Sequence, residues 1–75
     1  MAHKNRISID PVIRFGKPCV SGTRITVGEV LGFLGTGATE SELLIEFPQL
    51  AHEDVLACLC FAAERERKLL ALPAA

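Results

Sequence analysis

The stretch TVGEVLGFLGTGATESELLIEFPQL, residues 26–50, decides the fold because it carries the same helix-start signal twice. Thr26 and Glu29 stand at the T-x-x-E spacing of a capping box, in which the hydroxyl and the carboxylate each accept a hydrogen bond from an otherwise unpaired backbone N–H. Thr39 and Glu42 repeat the box directly ahead of Leu43, Leu44 and Phe47. Val27, Val30, Leu31 and Leu34 recur at helical spacing after the first box, and Gly37 suits the left-handed residue that ends a helix. The spacing predicts helices over about 27–35 and 39–47. Pro48 disfavours helical geometry at Phe47, so Phe47–Leu50 reads as a tight corner before a third helix over about 52–71. A short helix, a corner and a longer helix make a helix-turn-helix outline. Gly28 and Gly32 each weaken the first helix by about 1 kcal/mol relative to alanine, which predicts that another backbone packs against them.

Outside this stretch the signals are shorter. Residues 1–25 read as an extended arm. Within it RISID, residues 6–10, alternates Ile7 and Ile9 with polar neighbours as a half-buried strand does. Ile25 and Val27 alternate after the turn signal Ser21-Gly22, giving a second short extended segment. GKPCVSGTR, residues 16–24, is a turn-rich connector whose glycines supply positive φ. On the third helix Val55, Leu59, Ala62, Ala63 and Leu70 share a stripe expected to cover the first two helices, with Ala57 and Phe61 on its back. The fold class is mainly α: a three-helix, helix-turn-helix-like (homeodomain-like) bundle with a short N-terminal strand or hairpin, one domain over residues 1–75.

Seventy-five residues make one small core. It holds no Trp or Tyr, so Phe15, Phe33, Phe47 and Phe61 are expected to be its only large rings. A core of that size contributes only about 3–5 kcal/mol of net stability, which argues for a shared surface. The expected form is a homodimer, with Ile7, Ile9, Ala57 and Phe61 at its interface. Cys19, Cys58 and Cys60 are odd in number and no signal peptide precedes them, so a reducing cytosol is the expected compartment. On a helix Cys58 and Cys60 point about 200° apart and cannot share a metal, and they read as small apolar core residues. The longest apolar run, VLACLCFAA, residues 55–63, is far short of the roughly 20 residues that span a bilayer. No membrane and no cofactor are expected.

Charge is divided along the chain. Residues 1–27 carry a net charge of +4, from Lys4, Arg6, Arg14, Lys17 and Arg24 against Asp10, and the remainder carries −5. Either a basic arm meets phosphate backbones while an acidic body meets a basic protein, or the halves neutralise each other across the fold. An enzyme is not expected: His3 and His52 have no Ser, Cys or carboxylate pair at active-site spacing, and Gly16-Lys17 is followed by Pro18 rather than the Ser or Thr of a Walker loop. The third helix opens with Glu53 and Asp54, which would be repelled by DNA but interact well with the helix dipole. The candidates for DNA contact are therefore Lys4, Arg6, Arg14, Lys17 and Arg24. Arg24 has an alternative structural role, pinning the N-terminal segment to the helices by a bidentate bond to Asp10 or by bonds to backbone carbonyls.

Ile9-Asp10-Pro11, Gly16-Lys17-Pro18, Gly22-Thr23-Arg24-Ile25, Gly37, Phe47-Pro48 and Glu53-Asp54-Val55 occur in an order and spacing that resemble the domain-of-unknown-function family 433, short bacterial and archaeal proteins classed as antitoxin-like. The resemblance runs from residue 9 to about residue 63. It implies a helix-turn-helix-like domain with a small strand element, often dimeric and commonly encoded beside a PIN-like ribonuclease toxin. Members tend to place Ser or Thr where this chain has Ala51. The function it implies is an antitoxin that binds a cognate toxin, with operator DNA as a further partner. For the toxin, Leu69, Leu70 and Leu72 offer an amphipathic docking segment, whose bland alternative is a frayed helix end. The rival reading is a stand-alone DNA-binding regulator. The third is a small interaction module with neither partner.

Overall fold

The computed structural model describes residues 5–69. Two short strands and three helices follow one another: β1 (Ile7–Ser8), β2 (Cys19–Val20), α1 (Val27–Gly35), α2 (Glu40–Glu46) and α3 (His52–Leu69). The mainly helical fold with a small N-terminal strand pair matches the expected class, and each predicted helix is present. Both capping boxes close as the sequence dictates. Thr26 Oγ1 accepts from the Glu29 N–H at 2.9 Å while Glu29 Oε1 accepts from the Thr26 N–H at 2.9 Å, and Thr39 with Glu42 repeats the exchange at 3.1 and 2.8 Å. Gly37, at φ 97°, ends α1 in the left-handed region as predicted.

β1 and β2 pair antiparallel, Ile7 opposite Val20 and Ser8 opposite Cys19. The chain then doubles back tightly. The Val20 N–H donates to Ile25 O at 2.9 Å and the Val27 N–H to Pro18 O at 2.9 Å, so the strand runs almost directly into α1. Gly22, at φ 82°, makes this corner possible, and the Thr23 hydroxyl braces it by donating to Val20 O at 2.9 Å. Cys19, Val20, Ile25 and Val27 are thereby delivered to the core, where they join Val30, Leu43, Leu50, Val55 and Cys58. Phe33 and Phe47 pack against that cluster edge to face, with ring centroids 5.9 Å apart. Burial pushes the Cys58 thiol up to about 11, so it behaves as an apolar core residue and stays protonated at neutral pH.

Several expectations fail here for physical reasons. Phe15 is not a core ring: it is 96% exposed. Gly28 and Gly32 are not approached by another backbone, since a Cβ on Gly28 would meet only Thr26 Oγ1 at 3.8 Å and one on Gly32 would meet nothing within 4 Å. The inward face of α3 is also not the expected stripe. Asp54, Val55, Ala57 and Cys58 point in and Leu59 and Ala63 point out, a rotation of roughly 100°, one residue's worth. Ala57, only 1% exposed, is interior rather than on an outer face, and Phe61 is half-buried against the core cluster. In a helix apolar on nearly every side from Val55 to Ala63, hydrophobicity cannot choose the face. Asp54 chooses it instead.

The Asp54 carboxylate is mostly buried and spans two elements. Its Oδ1 accepts from Arg6 Nη1 at 2.9 Å, and its Oδ2 accepts from the Ala51 N–H at 2.9 Å. The second bond is the carboxylate half of a capping box whose hydroxyl half Ala51 cannot supply. The first ties the start of β1 to the start of α3 across 48 residues of sequence. A second, exposed link joins α2 to α3, His52 Nδ1 to Glu40 Oε2 at 2.6 Å, and it raises the imidazole pKa above its ordinary 6.5.

Three measurements check this account. Asp54→Ala removes the cap and strands Arg6, and should cost about 2–4 kcal/mol, whereas Arg6→Ala, which leaves the cap intact, should cost about 1 kcal/mol in the same denaturant titration. Ala51→Ser supplies the missing hydroxyl and should stabilise by about 1 kcal/mol, or roughly 4–8 °C in Tm. Because the His52 pKa is raised in the folded state, its contribution is fully present below pH 6.5 and is lost as pH rises through the raised value. The melting temperature should therefore fall across neutral pH by a small step that His52→Gln abolishes.

Candidate functional site

Of the cations expected to contact DNA, Lys4 lies outside the described residues and two others are engaged within the molecule. Arg6 holds Asp54. Arg14 donates through Nη1 to Arg24 O at 2.8 Å and meets the Glu29 carboxylate with both terminal nitrogens, at 3.2 and 3.1 Å. This pairing raises the pKa of the Arg14 guanidinium, mainly through the hydrogen bonds it donates to Glu29. Glu29 is correspondingly held below its ordinary value, first by the Thr26 N–H and then by Arg14. The charged halves of the chain thus neutralise each other across the fold at two points. Lys17 and Arg24 remain, their side chains making no hydrogen bond or ion pair among the described residues. The expected Arg24–Asp10 pair does not form, because Asp10 Oδ1 instead caps its own turn by accepting from the Val12 N–H at 2.9 Å.

The Arg14 bonds also fix an unusual backbone. Arg14, Phe15 and Gly16 are left-handed in succession, at φ 53°, 60° and 82°. Gly16 adopts this region freely, but for residues with a Cβ it costs about 1–2 kcal/mol each. The Ile13 N–H donates to Asp10 O at 2.9 Å, the Gly16 N–H to Ile13 O at 3.1 Å and the Lys17 N–H to Arg14 O at 3.2 Å, so the segment is a chain of tight turns. Its product is a projecting apolar tip. Phe15 is 96% exposed, Val12 is 85% exposed and Ile9 is 61% exposed. Sequence reading missed this feature because a lone phenylalanine ordinarily predicts burial. The available signal was its position, between Arg14 and Gly16 in a stretch with no helix or strand period.

Beside the tip lies an open groove of about 740 Å³ between α1 and α3. Pro18, Leu31, Phe61 and Ala62 give it apolar surface, Gly28 leaves its α1 wall low, and Arg14, Lys17 and Glu66 stand among its charged lining residues. Arg65 lies over the Phe61 ring, with its guanidinium carbon 5.7 Å from the centroid. Of the residues expected at a dimer interface, Phe61 lines this groove and Ile9 is on the projecting segment. Ile7 is in β1 and packs on the core, as does buried Ala57. Leu69 ends α3, and Leu70 and Leu72 lie outside the described residues.

No cluster of His, Cys, Asp or Glu able to hold a metal occurs among the described residues, and no helix among them is long and apolar enough to cross a membrane. Exposed apolar side chains also occur on α2 and on α3. Ile45 is 79% exposed on α2, and Leu56 and Leu59 are exposed on the outer side of α3. Glu42, Glu46 and Glu53 are exposed beside them in the sequence.

The fold has a solved counterpart. The crystal structure of a DUF433 member protein from Anabaena variabilis ATCC 29413 superposes with a TM-score of 0.80 at 29% sequence identity, over 87% of this chain. The chain spans 64% of that protein's length. No curated protein matches. The family model described as protein of unknown function (DUF433) matches residues 7–62, from β1 to the middle of α3, and the chain belongs to that family.

Proposed function

We propose that this chain is a non-enzymatic antitoxin that binds a cognate PIN-like ribonuclease toxin through the outer faces of α2 and α3. One observation supports the reading above others: the apolar side chains these helices leave uncovered, Ile45, Leu56 and Leu59, have the exposed acids Glu42, Glu46 and Glu53 as near neighbours along the same two helices. An apolar centre with a charged rim is the composition of a protein–protein interface. Its negative sign suits a partner built to hold the phosphates of RNA, whose surface is basic. The docking segment expected at Leu69, Leu70 and Leu72 follows this acidic, apolar stretch in the sequence.

The rival, a stand-alone DNA-binding regulator, draws on the helix-turn-helix outline of α2 and α3. Against it stand the first turn of α3, with Glu53 exposed and Asp54 buried, and the engagement of Arg6 and Arg14 inside the molecule. In the antitoxin reading, operator contact falls to Lys17, Arg24 and Lys4 and belongs with the toxin-bound complex.

Co-expression with the product of the neighbouring reading frame tests the proposal. The two should co-purify and relieve growth arrest, and Ile45→Lys should weaken the complex by about 10- to 100-fold while leaving stability within about 0.5 kcal/mol. Absence of both a complex and relief would reject it. Salt-sensitive operator binding by the isolated chain, lost on neutralising Lys17 and Arg24, would favour the rival.

A further inference from the structure

We propose that the groove between α1 and α3 is a binding site for a small aromatic carboxylate, whose ring lies on the apolar lining at Phe61, Leu31 and Pro18 and whose charge is met by Lys17 and Arg65. The proposal concerns none of Ile45, Leu56 and Leu59, and does not depend on the antitoxin reading.

The first argument is charge. Arg14, Lys17 and Arg65 line the groove against the acids Glu29 and Glu66. Glu29 is already engaged, because the Arg14 guanidinium meets its two oxygens at 3.2 and 3.1 Å. Lys17 makes no ion pair or hydrogen bond among the described residues, and the Arg65 guanidinium has the face of Phe61 as its partner, 5.7 Å from the ring centroid. Glu66 alone of the lining carboxylates is left to answer both cations. The groove therefore keeps an excess of positive charge, and an anion is the occupant it favours. A neutral or cationic guest leaves that excess unmatched.

The second argument is shape and readiness. The groove, at about 740 Å³, lies within the range of roughly 300–1,000 Å³ that small-molecule sites occupy, and it joins an apolar lining to a few charged groups as such sites do. Phe61 already carries a guanidinium over its ring, and an aromatic guest adds a second flat surface to that arrangement. The α1 wall is fixed before anything binds. Arg14 is held by Glu29 and by Arg24 O at 2.8 Å, and Glu29 is held in turn by the Thr26 capping box, so little ordering is needed on association. At Gly28 that wall is open, since a Cβ there would meet nothing closer than Thr26 Oγ1 at 3.8 Å.

Titration of the full chain at neutral pH with three probes of one shape, followed by calorimetry and by amide NMR shifts, tests the proposal. The probes are naphthoate, naphthylmethanol and naphthylmethylammonium. Naphthoate should saturate one site per chain, move the amide signals of Gly28, Leu31, Phe61 and Ala62, and bind about tenfold more tightly than the neutral or the cationic probe. Lys17→Gln, at an exposed side chain, should weaken naphthoate by about 3- to 5-fold and leave the neutral probe unchanged. Gly28→Leu fills the groove from a helical site with open space and better helix propensity, and should abolish binding while Tm holds or rises. Equal affinity for the three probes would reduce the groove to an unselective apolar patch and overturn the proposal. So would absence of saturable naphthoate binding, or binding that survives Gly28→Leu or moves signals elsewhere in the chain.

Discussion

The buried Asp54 carboxylate is the constraint on which the arrangement of the chain depends. It lies at the one place where the first strand and the last helix meet, and its two oxygens serve both, one receiving Arg6 and the other the Ala51 N–H. An acid brought this far out of water is held by these two bonds, the cap from Ala51 and the ion pair with partly exposed Arg6, and without either it would be an unpaired buried charge costing several kcal/mol. The carboxylate therefore selects the rotation of α3. Given that rotation, Val55 and Cys58 face the core, Leu56 and Leu59 face solvent, and Phe61 and Ala62 form the side of the groove.

What was legible in the sequence was what local chemistry determines. Thr26 with Glu29 and Thr39 with Glu42 place two helix starts to within a residue, and Gly22 and Gly37 occupy the positive-φ positions their turns require. What was not legible depended on distant partners. Asp54 reads as an ordinary dipole residue until Arg6 is brought beside it from 48 positions away. Arg14 and Arg24 are equivalent in sequence, yet the guanidinium of one is bonded to the carbonyl of the other. Phe15 obeys no rule of composition, because its exposure follows from a backbone that arginine bonding imposes.

The candidate site was legible in chemistry more than in place. Of the cations expected to contact phosphates, Arg6 and Arg14 are bonded within the molecule and hold the fold together, and the exposed features that the sequence did not announce are apolar. α3 contributes to both exposed apolar regions, Leu56 and Leu59 to one and Phe61 and Ala62 to the other. One is acidic and belongs to the helices. The other is framed by basic residues and is shared with the arm.

The join between β1 and α3 also has a bearing on how the molecule comes into being. Both capping boxes and the hairpin around Gly22 form from neighbours in the chain, so those pieces can organise early, as local contacts do. β1 can pair with β2 early, but its tie to α3 waits for residue 54, and a nascent chain that has not reached α3 leaves Val20, Ile25 and Val27 without that helix to cover them. Completion of this protein is thus a single late closure at its last helix, and any fragment that ends before that helix is left open to proteases and to other unpaired edges.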